Sequence, residues 1–130
     1  MGFLDSFKKT KESNVANAWK VLTTEGQLDK LIADSEQKPV VLFKHSVSCG
    51  TSAMAKHNLE KDWDFTDQEI DFYYLDLIAY RSISNKIATV LNVTHQSPQV
   101  ILIHKGKAVY ATSHQAVSVS GLRSGLQRLG

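Results

Sequence analysis

The stretch Val40-Val41-Leu42-Phe43-Lys44-His45-Ser46-Val47-Ser48-Cys49-Gly50-Thr51-Ser52 decides how this chain folds. Its first four residues are all apolar, which suits a strand covered on both faces rather than a half-exposed one. A short polar turn follows, and then sequence that predicts a helix. The turn delivers the single cysteine of the protein, Cys49, to the start of that helix. The first turn of a helix presents unpaired backbone N–H groups and the positive end of the helix dipole. Both favour thiolate over thiol, and the thiolate is the nucleophile. A free cysteine can also be an inert, buried, apolar side chain. The polar turn before Cys49 and the Gly50 and Ser52 after it favour the reactive reading.

The segments around this stretch alternate in type. Trp19-Lys20-Val21-Leu22 predicts a short strand, and Thr23-Thr24-Glu25 offers a cap for a helix carrying Leu28, Leu31 and Ile32. Lys38-Pro39 is expected to end that helix. Cys49 to about Lys61 predicts a helix with Ala53, Met54 and Leu59 inward, followed by a strand over Ile70–Leu77. Ser82–Leu91 predicts a helix with Ile83, Ile87, Ala88 and Leu91 inward. Val100–Ile103 is a second buried strand, and Lys105-Gly106 turns it into Ala108–Ala111 as a hairpin. Ser118–Leu129 closes the chain as a helix with Leu122, Leu126 and Leu129 on one side. The order β-α-β-α-β-α-β-β-α places the chain in the α/β class. Its strands form a mixed central sheet with a C-terminal antiparallel hairpin. Residues 1–17 read as a polar arm bearing Phe3, Leu4 and Phe7, and residues 18–130 as one domain.

Composition narrows the function classes. The chain has 130 residues, 42% hydrophobic and 22% charged, with a formal charge of +2. That is an ordinary globular balance without the basic, aromatic-interleaved stripe of a nucleic-acid binder. The apolar runs are too short to span a bilayer, and Met1–Lys9 lacks the apolar centre of a signal peptide. One cysteine excludes an internal disulfide. These features predict a cytoplasmic protein with no membrane or nucleic-acid partner. They also predict no metal site, since a Cys2His2 set fails on count and His57, His104 and His114 have no spacing partner.

Several strings, taken together, carry a resemblance. They are Leu42-Phe43-Lys44-His45-Ser46, Cys49-x-x-Ser52, Tyr73 to Arg81, Ser84-Asn85 and His95-Gln96-Ser97-Pro98-Gln99-Val100. In order and spacing, from about Trp19 to the C-terminus, they resemble the monothiol bacilliredoxin family (YtxJ-like proteins of the bacillithiol system). The resemblance implies a thioredoxin-like three-layer α/β/α sandwich. It implies a cis peptide at Ser97-Pro98 facing the active-site sulfur, and removal of low-molecular-weight thiol caps from protein cysteines. It implies S-thiolated client proteins as partners, and bacillithiol or a related small thiol as co-substrate with no tightly bound cofactor. The expected state is a monomer or weak dimer. The family commonly carries Cys-Pro-x-Ser. This chain has Cys49-Gly50-Thr51-Ser52, a glycine shared with monothiol glutaredoxins, which leaves the identity of the small thiol open.

The residues permit a one-thiol cycle. Ser52 stands three positions after Cys49, on the same helical face, where a dithiol enzyme carries its second sulfur. A hydroxyl cannot resolve a mixed disulfide, but it can donate a hydrogen bond that stabilises the thiolate. Cys49 and Ser52 are thus the expected catalytic pair, and Lys44, His45, Gly50, Thr51, His95, Ser97 and Pro98 the expected thiol- and client-binding set. Lys44 reads either as an attractor of the small thiol's anionic part or as a solvated lysine. His45 reads as a positive or hydrogen-bonding neighbour of the thiolate, or as a polar strand end. His95 either lines the groove or is surface polarity. The backbone of Ser97 is expected to pair with a bound peptide in strand-like fashion. Asp76 and Arg81 read as substrate contacts or as a structural ion pair, and the ion pair is the favoured reading. Two other functions fit the same residues: a non-catalytic thioredoxin-like adaptor, and a glutaredoxin-like iron–sulfur carrier sharing Cys49 between two copies.

Overall fold

The structure is a computed structural model, and it describes residues 19–46, 48 and 50–129. The arm expected over residues 1–17 lies outside the described residues, as do residue 18, Val47, Cys49 and Gly130. The elements run β1 (Trp19–Val21), α1 (Glu25–Asp34), β2 (Val40–His45), α2 (Gly50–Asp62), β3 (Asp71–Asp76), α3 (Arg81–Leu91), β4 (Gln99–His104), β5 (Lys107–Ser113), a 3-10 turn (His114–Ala116) and α4 (Val119–Gln127). The element order is the one the sequence predicts.

The sheet order is β1-β3-β2-β4-β5. β1 and β2 flank β3 in parallel, while β4 and β5 are antiparallel to their neighbours. β2 lies at the centre with all six residues buried, as its unbroken apolar run requires. Alternate side chains of the central strands feed two cores. Val41, Phe43, Phe72, Val100 and Leu102 face Ala55 and Leu59 of α2 and Val119 and Leu122 of α4. Val40, Leu42, Leu75, Ile101 and Ile103 face Leu28 and Leu31 of α1 and Ile83, Ile87 and Leu91 of α3. The result is the expected three-layer α/β/α sandwich.

Local chemistry sets the element ends. Thr24 caps α1 through a capping box with Gln27, accepting the Gln27 N–H at 3.1 Å. α1 stops at Asp34, with Ser35 as its cap, so the helix ends before Pro39 rather than because of it. The hairpin turn has positive φ at both Lys105 and Gly106, the geometry a two-residue hairpin loop demands.

The inner face of α2 differs from expectation. Ser52, Ala55 and Leu59 are buried, whereas Met54 is 52% exposed and Ala53 also faces solvent. Residues three and four apart share a helix face, so the row through Ala55 and Leu59 includes Ser52 and leaves out its two neighbours.

Burial ranks the strands energetically. Ile101→Ala, in a fully buried position of β4, is expected to lower unfolding free energy by about 2–5 kcal/mol. Val109→Ala, on the edge strand and 43% exposed, is expected to change it by less than about 0.5 kcal/mol. Urea denaturation of both variants measures the contrast.

Candidate active site

The end of β2 and the start of β4 bring the predicted residues into one region. The two strands pair antiparallel from Val40↔Ile103 to Lys44↔Gln99. The segment leaving β2 toward Cys49 therefore lies beside the segment carrying Ser97 and Pro98 into β4. The Ser97–Pro98 peptide is cis, as the resemblance implies. Cys49, the expected nucleophile, lies outside the described residues, and in the sequence it directly precedes Gly50, the first residue of α2.

Ser52 is fully buried, and its Oγ accepts the Ser46 N–H at 3.2 Å. The Oγ atoms of Ser46 and Ser48 lie 3.2 Å apart, close enough for a second hydrogen bond. The first turn of α2 is thereby tied back to the end of β2 across the segment that contains Cys49. Accepting from Ser46 leaves the Ser52 hydroxyl proton free to donate. Gly50 is exposed and Thr51 half-buried.

His45 and Lys44 leave β2 on opposite faces. His45 packs on the α2 side, 5% exposed, against the rings of Phe43 and Tyr74. Its Nδ1 lies 2.8 Å from the Tyr74 hydroxyl. Burial pushes His45 below its ordinary value, and Lys56 adds to this, against Asp76 and Glu60. Burial raises the Tyr74 phenol, with Asp76 and Glu60 acting in the same direction. Both shifts favour the neutral forms, and the two neutral groups share one hydrogen bond. His45 ends β2, as the strand-end reading has it, and its hydrogen bond is to Tyr74; its relation to Cys49 lies outside the described residues.

Lys44 departs most from expectation. It is neither solvated nor open to a ligand, being completely buried on the α3 side. Its Nζ donates to the Ser84 carbonyl at 3.2 Å and lies 3.3 Å from His95 Nδ1. Burial alone pushes its ammonium down to about 8. His95 itself is exposed, Ser97 half-buried and Pro98 buried. Burial lowers His95 first, and the charges of Lys44 and Arg81 lower it further. The ion pair expected between Asp76 and Arg81 is absent among the described residues. Asp76 Oδ1 instead accepts the N–H groups of Ile78 at 3.1 Å and Ala79 at 3.3 Å, closing the turn after β3.

Three participants were not singled out as site residues from sequence: Tyr74, Ser84 and Gln99. Strand parity is the signal that finds Gln99. A residue opposite Lys44 shares its sheet face, and in a buried strand a polar residue there needs a partner. Among the described residues no group of three or more histidine, cysteine, aspartate or glutamate side chains is placed to hold a metal. No described helix is long and apolar enough to cross a membrane.

A family profile described as monothiol bacilliredoxin BrxC matches residues 20–122. The chain belongs to the monothiol bacilliredoxin family. Among solved structures it is similar to one described as a candidate oxidoreductase with a thioredoxin fold. Identity is 30% over 86% of this chain and 96% of that one, with a TM-score of 0.74. Thioredoxin from Malassezia sympodialis superposes with a TM-score of 0.66 at 17% identity, covering 84% of this chain and 88% of that one. Thioredoxin from Trypanosoma brucei brucei gives 0.66 at 20% identity, with the same 84% and 88% coverage. The latter two establish the thioredoxin fold alone. The bacilliredoxin match and the 30%-identical oxidoreductase support a thiol redox role.

Two outcomes follow from the buried groups. The native state holds His45 and His95 neutral where the unfolded chain binds protons near the ordinary histidine value of about 6.5. As pH falls through that value the unfolded state takes up protons that the native state does not, so stability declines on acidification. Urea unfolding between about pH 7.5 and 5.5 should show this loss, and His45→Gln should show less of it. For Lys44, the fall from 10.5 to about 8 corresponds to about 3 kcal/mol against the buried charge. Lys44→Met is therefore expected to be about 1–3 kcal/mol more stable at neutral pH in the same assay.

Proposed function

We propose that this protein is a monothiol thiol–disulfide oxidoreductase that removes bacillithiol, or a related low-molecular-weight thiol, from mixed disulfides on cytosolic proteins. The observation that carries the reading is the hydroxyl of Ser52 in place of a second sulfur, in a chain with one cysteine and a bacilliredoxin match.

The Cys49 thiolate attacks the small-thiol sulfur of the client mixed disulfide. The new bond joins Cys49 to the small thiol, the old disulfide breaks, and the client sulfur leaves as thiolate. A second small-thiol thiolate then attacks the Cys49 adduct, giving the symmetrical small-thiol disulfide and free Cys49. No electrons are gained or lost across the pair of exchanges beyond those moved between sulfurs. Ser52 donates to the sulfur without competing for it. Gly50 and Thr51 flank the nucleophile, the exposed His95 borders the groove, and the Ser97 main chain, set by Pro98, receives the client or thiol edge-on.

Mass spectrometry with a bacillithiol-capped client tests this. Wild type is expected to free the client and to carry one small-thiol adduct on Cys49, and Cys49→Ser to do neither. A Cys49→Ala protein that still binds clients and sustains the cellular role would make the protein an adaptor. Brown colour with visible absorption after anaerobic purification would make it a cluster carrier.

A further inference from the structure

On the α3 side of the central strands the pattern is apolar, with Val40 and Leu42 on β2 and Ile101 and Ile103 on β4 all fully buried. Two polar residues interrupt it, Lys44 and Gln99, and they are directly opposed across the β2–β4 ladder. Lys44 is 0% and Gln99 3% exposed. Both side chains reach the same segment. Gln99 Nε2 donates to the Thr94 carbonyl at 2.9 Å, and Lys44 Nζ reaches His95 Nδ1 at 3.3 Å while also holding Ser84 in α3. On the far side, the His114 N–H donates to the Pro98 carbonyl at 3.0 Å.

We propose that Lys44 is a positioning residue, which pins the loop before β4 to α3 through His95 and thereby fixes the Ser97 backbone edge that receives the client or the small thiol. The proposal rests on the thiol-transfer reading for what Ser97 binds, but not for the pin itself. An apolar side chain would satisfy the packing at position 44 without a buried charge. A lysine there gives the loop something an apolar side chain cannot, a donor extending from the core to a surface histidine.

The charge is solvated by dipoles rather than neutralised. Among the described residues no carboxylate pairs with Lys44. Ser84 Oγ and Gln99 Oε1 are buried without a partner of their own, on the two residues that flank it. Arg81 is the other charge acting on His95 from α3. Asp76 on β3 is turned to the Ile78 and Ala79 amides, and Lys86 on α3 is paired with Glu25 and Asp29 of α1. An ammonium can only donate, so His95 holds the pin only as a neutral ring with Nδ1 bare. A proton on Nδ1 sets donor against donor and cation against cation, and the pin opens.

Backbone 15N relaxation of the full chain tests the pin without reference to turnover. In wild type at about pH 7.5 the amides of Thr94 to Ser97 are expected near the rigid order parameter of about 0.85, and in Lys44→Met below about 0.6. Wild type acidified to about pH 4.5, well below the ordinary histidine value of about 6.5, should loosen likewise, and His95→Gln, which keeps an acceptor that does not titrate, should not. With a thiolated client, Lys44→Met should raise KM by about fivefold and change kcat far less. A folded Lys44→Met with a rigid loop and unchanged KM overturns the proposal. If that variant does not fold, acid loosening that persists in His95→Gln overturns it. An inert wild type whose loop still loosens in Lys44→Met supports the pin and removes the thiol-transfer reading. A turning-over protein whose loop is indifferent to position 44 removes the pin alone.

Discussion

The antiparallel ladder between β2 and β4 is the constraint on which the site depends. Its register runs from Val40↔Ile103 to Lys44↔Gln99. Because side chains alternate with a period of two, slipping that register by one residue would turn the apolar face of β4 away from its core. The same register fixes where the two functional loops leave the sheet. One departs from His45 toward Cys49, and the other arrives at Gln99 from Pro98. Both cores cover β2, so its termini are held to the precision of a packed interior.

From that shared edge, the last two residues of β2 serve opposite faces. His45 turns toward α2, where burial first and the charge of Lys56 second disfavour its protonation, and its Nδ1 lies 2.8 Å from the Tyr74 hydroxyl. Lys44 turns toward α3, carries its charge through the core and ends at His95. Both side chains are therefore engaged with neighbouring parts of the frame, Tyr74 on one face and Ser84 and His95 on the other. Groups that fix the loop before β4 are retained in the interior, while Gly50 is exposed and Thr51 and Ser97 are half-buried.

Much of the fold could be read directly. Runs such as Val40–Phe43 and Val100–Ile103, broken by Lys105-Gly106 and by helical spacing in Ile83, Ile87 and Leu91, carry the element order without tertiary information. What could not be read was direction within a face. Met54 appeared inward because helix spacing alone does not set phase, and phase depends on where α2 begins against the sheet. Lys44 looked like a surface lysine because the end of a strand is usually wet. Only the packing of α3 over β2 buries it. Asp76 and Arg81 suggested an ion pair on proximity in sequence, yet the backbone amides of the turn after β3 were nearer acceptor-seeking partners. Each of these depends on contacts between segments distant in the chain, which no local pattern encodes.

Ser52 illustrates how the monothiol character is built into the frame rather than being a mere lack of sulfur. Its oxygen is fully buried and accepts the Ser46 amide at 3.2 Å. Sulfur is a weaker acceptor than oxygen, so a thiol at this position would hold that amide less well. A buried N–H without its partner carries a penalty of about 1–3 kcal/mol, at the junction that orients the nucleophile. The hydroxyl therefore performs two tasks with different parts of one group. Its lone pair holds the turn, and its proton remains available to donate.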